Sequence, residues 1–181
     1  RLGADERLFA KYKAILATPA SQSMSPARRR ALANTVRDFV LSGAELQGEE
    51  RQRFAQIQES QAELARRFSE HVLDATDSHA LYVDEADLDG VPDDAIQSAR
   101  AAAQAEGREG CKLTLHFPSY FPVMQYGRNR ALREKLYTAY VTRASEFGPG
   151  ERDHGPLMRE LLARRQEEAR LLGKSSYAEV S

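Results

Sequence analysis

The chain has 181 residues, enough for one domain with a real core, and its 41% hydrophobic and 29% charged residues fit a globular protein with a heavily ionised surface. Lys plus Arg (26) nearly cancels Asp plus Glu (27), so no net field draws the chain to nucleic acid or to an anionic membrane. Cys111 is the sole cysteine, which rules out an internal disulfide and favours a reducing compartment. No uninterrupted apolar run approaches the roughly 20 residues that span a bilayer. Arg1-Leu-Gly-Ala-Asp-Glu6 does not read as a secretory signal, and a cytoplasmic location is expected.

Helix signals dominate the first half. Asp5 to Leu16 carries Leu8, Phe9, Tyr12, Ile15 and Leu16 on one stripe, and Pro19 stops it. Ser25-Pro26 sets a capping hydroxyl ahead of a proline at the first helical position, where its missing N–H costs nothing. That helix shows Leu32, Val36, Phe39 and Val40 and ends at Gly43, read as a left-handed cap. The longest element runs from about Glu49 to Asp74. Phe54, Ile57, Leu64 and Phe68 recur at helical steps, with Gln61 as one polar residue in the seam.

The organisation then changes. Leu81-Tyr-Val83 is a short extended run, and Pro92-Asp-Asp-Ala95 opens an alanine-rich helix that ends near Gly107. Lys112 to Phe117 alternates Leu113, Leu115 and Phe117 against Lys112, Thr114 and His116, the period-2 pattern of a half-buried strand. The two strands could pair, in a direction the sequence does not give. The stretch then runs into Pro118, Pro122 and a cluster of aromatics. A helix follows over Asn129–Ala144, then a loop at Gly148–Gly150, then a helix over Asp153–Leu172. The last helix is read with Leu157, Met158, Leu161 and Leu162 inward and Gly173 ending it.

The expected fold is therefore mainly α: a helical bundle-like single domain, 1–181, with a small β insert. Helices are placed near 5–17, 26–41, 49–74, 92–106, 129–144 and 153–172, and short strands near 80–84 and 112–117. Both ends read as cut. Arg1 is not a methionine, and Ser175-Ser-Tyr-Ala-Glu-Val-Ser181 looks like an N-cap serine and the opening of an uncompleted helix.

No complete catalytic constellation stands in the chain, and no catalytic, cofactor-binding or metal-ligating residue is assigned. The histidines His71, His79, His116 and His154 are never three or four apart, whereas a helical zinc site needs two ligands on one face. Glu70-His71 lacks a second histidine one turn on and reads as a polar pair near a helix end. His116 reads as an exposed or capping group, and Cys111, with no CxxC partner, as a half-buried strand thiol. Gly173-Lys174-Ser175 imitates the end of a phosphate-binding loop, but Glu168 occupies the position of the required glycine. Arg28-Arg29-Arg30 fan about 100° apart on a helix and form no flat patch, so they read as a solvated face.

Leu113-Thr-Leu-His-Phe-Pro-Ser-Tyr-Phe-Pro-Val-Met124, then Ala131-Leu-Arg-Glu-Lys135, Ala139-Tyr140 and Thr142-Arg-Ala-Ser145, resembles the thimet oligopeptidase family of zinc metallopeptidases. Arg37-Asp-Phe-Val-Leu-Ser-Gly43, Val72-Leu-Asp-Ala-Thr76, Asp84-Glu-Ala-Asp-Leu-Asp-Gly-Val-Pro92, Leu171-Leu-Gly173 and Tyr177-Ala178 resemble it in the same order, so the likeness covers nearly the whole chain. Lys174 departs from it, standing where the family commonly has an aromatic.

The resemblance implies a cytoplasmic enzyme that cuts short peptides internally, with two largely helical lobes around a deep channel. Its zinc would be held by the histidines of a His-Glu-x-x-His helix and a downstream glutamate, with the motif's own glutamate as general base. None of these can be carried onto a position of this sequence. By position the chain resembles a fragment of the non-catalytic lobe that precedes the catalytic part. It is expected to form channel wall, to bind no zinc itself and to be inactive alone, with no nucleic-acid or membrane partner. Truncation would expose packing surfaces, so non-native self-association is expected. The competing reading is a non-enzymatic helical interaction module offering the seam of the helix Glu49–Asp74.

Overall fold

The computed structural model describes residues 5–148 and 150–181, and the chain divides into two compact units. The first comprises the residues up to Glu63 together with Glu160–Ser181; the second is Leu64–Arg159. The architecture is mainly α with one two-stranded sheet, as expected.

In the first unit, α1 (Glu6–Ala17) starts where the Asp5 carboxylate accepts from the amides of Arg7 and Leu8, both at 3.0 Å. A one-turn helix, α2 (Pro19–Gln22), follows. α3 (Pro26–Leu41) is capped by Ser25, whose hydroxyl accepts from the Arg28 amide at 3.4 Å. Phe9 and Tyr12 lean on the Phe39 ring at 5.6 and 6.0 Å between centroids, which fixes α1 against α3. The long helix α4 (Gly48–Asp77) contributes Phe54 and Ile57 to this unit's core.

The second unit centres on Leu88, Val91, Ala99, Cys111, Leu113, Leu115, Val123, Leu132 and Leu136. β1 (Leu81–Val83) and β2 (Cys111–Leu113) pair antiparallel, with Tyr82 opposite Lys112. α5 (Asp93–Gln104) lies between them in sequence, and its Ala99 and Ala103 are small enough to bring it down onto the sheet. α7 (Arg130–Val141) is capped by Asn129, whose Oδ1 accepts from the Leu132 amide at 3.1 Å while its Nδ2 donates to Asp87 Oδ1 at 3.1 Å.

Several expectations need correction. The strand expected over 112–117 stops at Leu113, because the Thr114 amide donates to Ser119 Oγ (2.9 Å) instead of to a neighbouring strand. A helix without a counterpart among the expectations, α6 (Phe117–Tyr126), begins at once, with the His116 carbonyl accepting from the Ser119 and Tyr120 amides. Its prolines are tolerated for local reasons. Pro118 sits in the first turn, where amides have no intrahelical partner, and Pro122 forfeits only the bond to the Pro118 carbonyl.

The last helix, α8 (His154–Leu171), ends as read: Gly173 takes φ +69° and the Lys174 amide donates back to the Ala169 carbonyl at 2.8 Å. Its inward stripe differs. His154, Leu157 and Glu168 are buried, while Met158 and Leu162 are 47% and 63% exposed. The uncompleted helix at the end is a single 3-10 turn, Tyr177–Glu179, and Ser175 donates to the Glu179 carboxylate instead of capping it. Pro149, in the glycine-flanked loop, lies outside the described residues.

Candidate functional site

A cavity of the first unit starts from a glycine. Gly43 (φ +83°) turns the chain out of α3, and a Cβ there would lie 2.9 Å from the Phe54 ring. The turn brings Leu41–Ala44 against α4, leaving an open cavity of ≈ 620 Å³ whose lining includes the exposed Arg51, Ala55, Glu59 and Ala62. Leu41, Phe54, Ala55 and Ala62 supply apolar wall; Gln58, Glu59 and Glu168 supply polar groups.

Glu168 is 5% exposed, and both its oxygens are engaged. Gln58 Nε2 donates to Oε1 at 2.8 Å and Gln61 Nε2 to Oε2 at 2.6 Å. This explains the polar residue in the α4 seam: Gln61 faces a buried carboxylate. The neighbouring Glu167 is treated differently, receiving Arg53 Nε at 2.5 Å and Nη2 at 2.8 Å. That hydrogen bond holds the Glu167 carboxyl below the usual carboxylate range, with the Arg53 and Arg164 charges adding to it.

The residues weighed for chemistry in the sequence scatter. His71 and His154 do come together in the second unit, stacked at 5.6 Å between centroids, and Phe68 stacks on His154 at 3.8 Å. His71 is thus half-buried in an aromatic cluster, beyond the polar pairing with Glu70 that its sequence neighbours suggest. His116 is exposed, with Nε2 2.9 Å from Asp77 Oδ1, and makes no side-chain cap. His79 lies near Lys135; burial and that charge both lower its proton affinity. Among the described residues, no group of three or more His, Cys, Asp or Glu is arranged to hold a metal ion. The zinc that the sequence resemblance implies therefore finds no fitting donor set in them.

Cys111 is wholly buried, not half-buried, because the β2 face that carries it is covered by α5. Burial pushes its thiol up, away from the reactive thiolate. Arg28, Arg29 and Arg30 are exposed along α3. A second cavity, ≈ 460 Å³, lies beside β1 and the start of α7, lined by Leu81, Val83, Asp84, Asp87, Asn129 and Lys135. On the helical side of the same unit, Tyr120 and Tyr140 stack at 4.2 Å, and the Arg143 guanidinium lies 3.7 Å over Tyr140 while donating to Thr76 Oγ1 at 2.9 Å.

Each unit thus carries a pocket of its own. The relatives give the chain a context. Residues 123–181 match the model of peptidase family M3. Over 99% of its length the chain is 44% identical to Oligopeptidase A of Salmonella typhimurium, and over 98% it is 43% identical to Oligopeptidase A of Escherichia coli. The chain belongs to peptidase family M3.

Within that family it is also 39% identical, over its whole length, to the Probable cytosolic oligopeptidase A of Arabidopsis thaliana. The chain spans only about a quarter of these relatives: 27%, 26% and 26% of their lengths, respectively. The family M3 match takes in the end of α6, all of α7 and all of α8, with Glu168 inside it.

Proposed function

We propose that this chain is a supporting segment of a zinc metallo-oligopeptidase that hydrolyses short peptides. In this reading its packed helices form part of the non-catalytic lobe and of a channel wall, and the zinc site lies on other polypeptide. The observation that carries the proposal is the 44% identity to an oligopeptidase A, spread over 99% of this chain but 27% of that relative. The cytoplasm is the proposed location. No described helix is long and apolar enough to cross a membrane, which is compatible with it.

The channel-wall role also accounts for the apolar surface. Phe117, Phe147 and Leu162 are 65%, 78% and 63% exposed. On this reading those side chains pack on the rest of the enzyme, and the isolated segment self-associates through them. The alternative of a helical interaction module has less support, because Phe54, Ile57 and Leu64 of its supposed docking seam are buried.

The experiment compares the full-length protein with the 181-residue segment. The full-length protein should cleave short peptides, lose that activity to a chelator and regain it with zinc. The purified segment should bind no stoichiometric zinc by atomic absorption and cleave nothing. Tight zinc or hydrolysis in the segment would overturn the placement of the reaction elsewhere. A metal-independent full-length enzyme would overturn the zinc chemistry.

A further inference from the structure

We propose that the cavity between the Leu41–Ala44 turn, α4 and the Glu168 carboxylate is a binding site for a small primary amine, an ammonium on a short hydrocarbon stem. The charge balance of Glu168 carries the argument. Glu168 is a buried residue, yet the hydrogen-bond donors to its carboxylate are two neutral amides, Gln58 and Gln61. An ionised carboxylate out of water is costly unless a cation or several donors offset it. It offers about four acceptor sites, and two are used.

Among the described residues no positive group close by is bonded to Glu168; Arg165, one turn before it on α8, lies over the Tyr177 ring 5.0 Å from its centroid. Arg53 and Arg164 go to Glu167, and Arg51, at the cavity rim, goes to Glu6. Glu59 adds a second negative charge to the lining, which disfavours an anionic ligand. The remaining wall, Leu41, Phe54, Ala55 and Ala62, is hydrocarbon, and ≈ 620 Å³ is within the range of small-molecule pockets. An ammonium reaching Glu168 would complete the carboxylate's hydrogen bonding while its stem covers Phe54 and the alanines. A neutral molecule of the same shape would gain the second contribution without the first.

The test is calorimetric titration of the full-length protein with n-hexylammonium chloride and, as the neutral isostere, n-hexanol. Saturable one-to-one binding of the amine, with the alcohol about tenfold or more weaker, is expected from the usual worth of a charged hydrogen bond. Glu168→Gln should weaken the amine by a similar factor and bring it level with hexanol. Ala62→Leu, which fills the cavity and leaves the carboxylate in place, should abolish binding of both. Absence of saturable amine binding would overturn the proposal, as would hexanol binding as tightly as the amine. Amine affinity unchanged in either variant would do the same. Should Glu168→Gln fail to fold, the amine–alcohol contrast and Ala62→Leu decide the matter.

Discussion

Phe68 on α4 and His154 at the start of α8 stack with ring centroids 3.8 Å apart and planes inclined by 26°. The stack leaves His154 only 4% exposed. Burial first, and the nearby His71 second, lower its proton affinity below the ordinary histidine value of 6.5; the raising contributions of the Phe68 backbone and Asp153 are smaller. The native state therefore refuses a proton that the unfolded chain accepts. Above 6.5 neither state is protonated there and the site is silent, whereas below it stability falls with falling pH. The urea midpoint should drop between pH 7.5 and 5.5, and His154→Phe should flatten that drop. An unchanged pH slope in the variant would refute this role.

Leu136 is fully buried, while Leu162 is 63% exposed despite a sequence pattern that puts it inward. Leu136→Ala should cost about 2–5 kcal/mol through lost burial and the cavity left behind. In the 181-residue segment, at a dilution where it is monomeric, Leu162→Ala should stay within about 0.5 kcal/mol, as surface substitutions do. Equilibrium denaturation of both variants checks the contrast, and equal losses would mean that α8 packs on another face.

Two glycines share a left-handed backbone but not their surroundings. A Cβ on Gly110 (φ +81°) would lie 2.6 Å from the Val83 carbonyl oxygen, whereas one on Gly107 (φ +68°) meets nothing within 4 Å. Gly107→Ala should cost about 1–2 kcal/mol, the left-handed penalty alone. Gly110→Ala should cost about 1–3 kcal/mol more, because a fixed backbone oxygen must move. Thermal melts of the pair give the difference, and matching values would argue against the tight approach of the two strands.

Cys111 has no exposed surface, and burial raises its thiol. Ellman's reagent should label the native protein far more slowly than the urea-unfolded protein. Rapid labelling under native conditions would show that β2 opens readily.

Arg53 and Glu167 are 41% and 35% exposed, so their two-pronged pair is screened by water despite its short contacts. Glu167→Gln should cost less than about 1 kcal/mol, and the loss should shrink as salt is raised. A loss of several kcal/mol that salt does not alter would mark the pair as part of the core.

What the sequence discloses follows the reach of its rules. Helices announced by periodicity and caps, such as α3 between Ser25 and Gly43 or α8 up to Gly173, lie close to where the pattern puts them. α6 is hidden because its two prolines argue against a helix, and only their positions within the turns reconcile them. The strand pattern over 112–117 runs too far because Ser119, two residues beyond it, captures the Thr114 amide. The site features are less legible still. Gln58 and Gln61 find Glu168 across 110 and 107 residues, and no local spacing relates them. His71 and His154 meet in the same way, although a search for ligands one helical turn apart separates them.

The ribbon of β1 and β2 holds three register pairs, and all of α5 intervenes between its strands. A two-stranded ribbon that short has little persistence alone and depends on the helix laid against it. Loosening α5 thus releases the ribbon with it. In deuterium exchange, the amides of Leu81–Val83, Cys111–Leu113 and α5 should lose protection together, as one cooperative foldon.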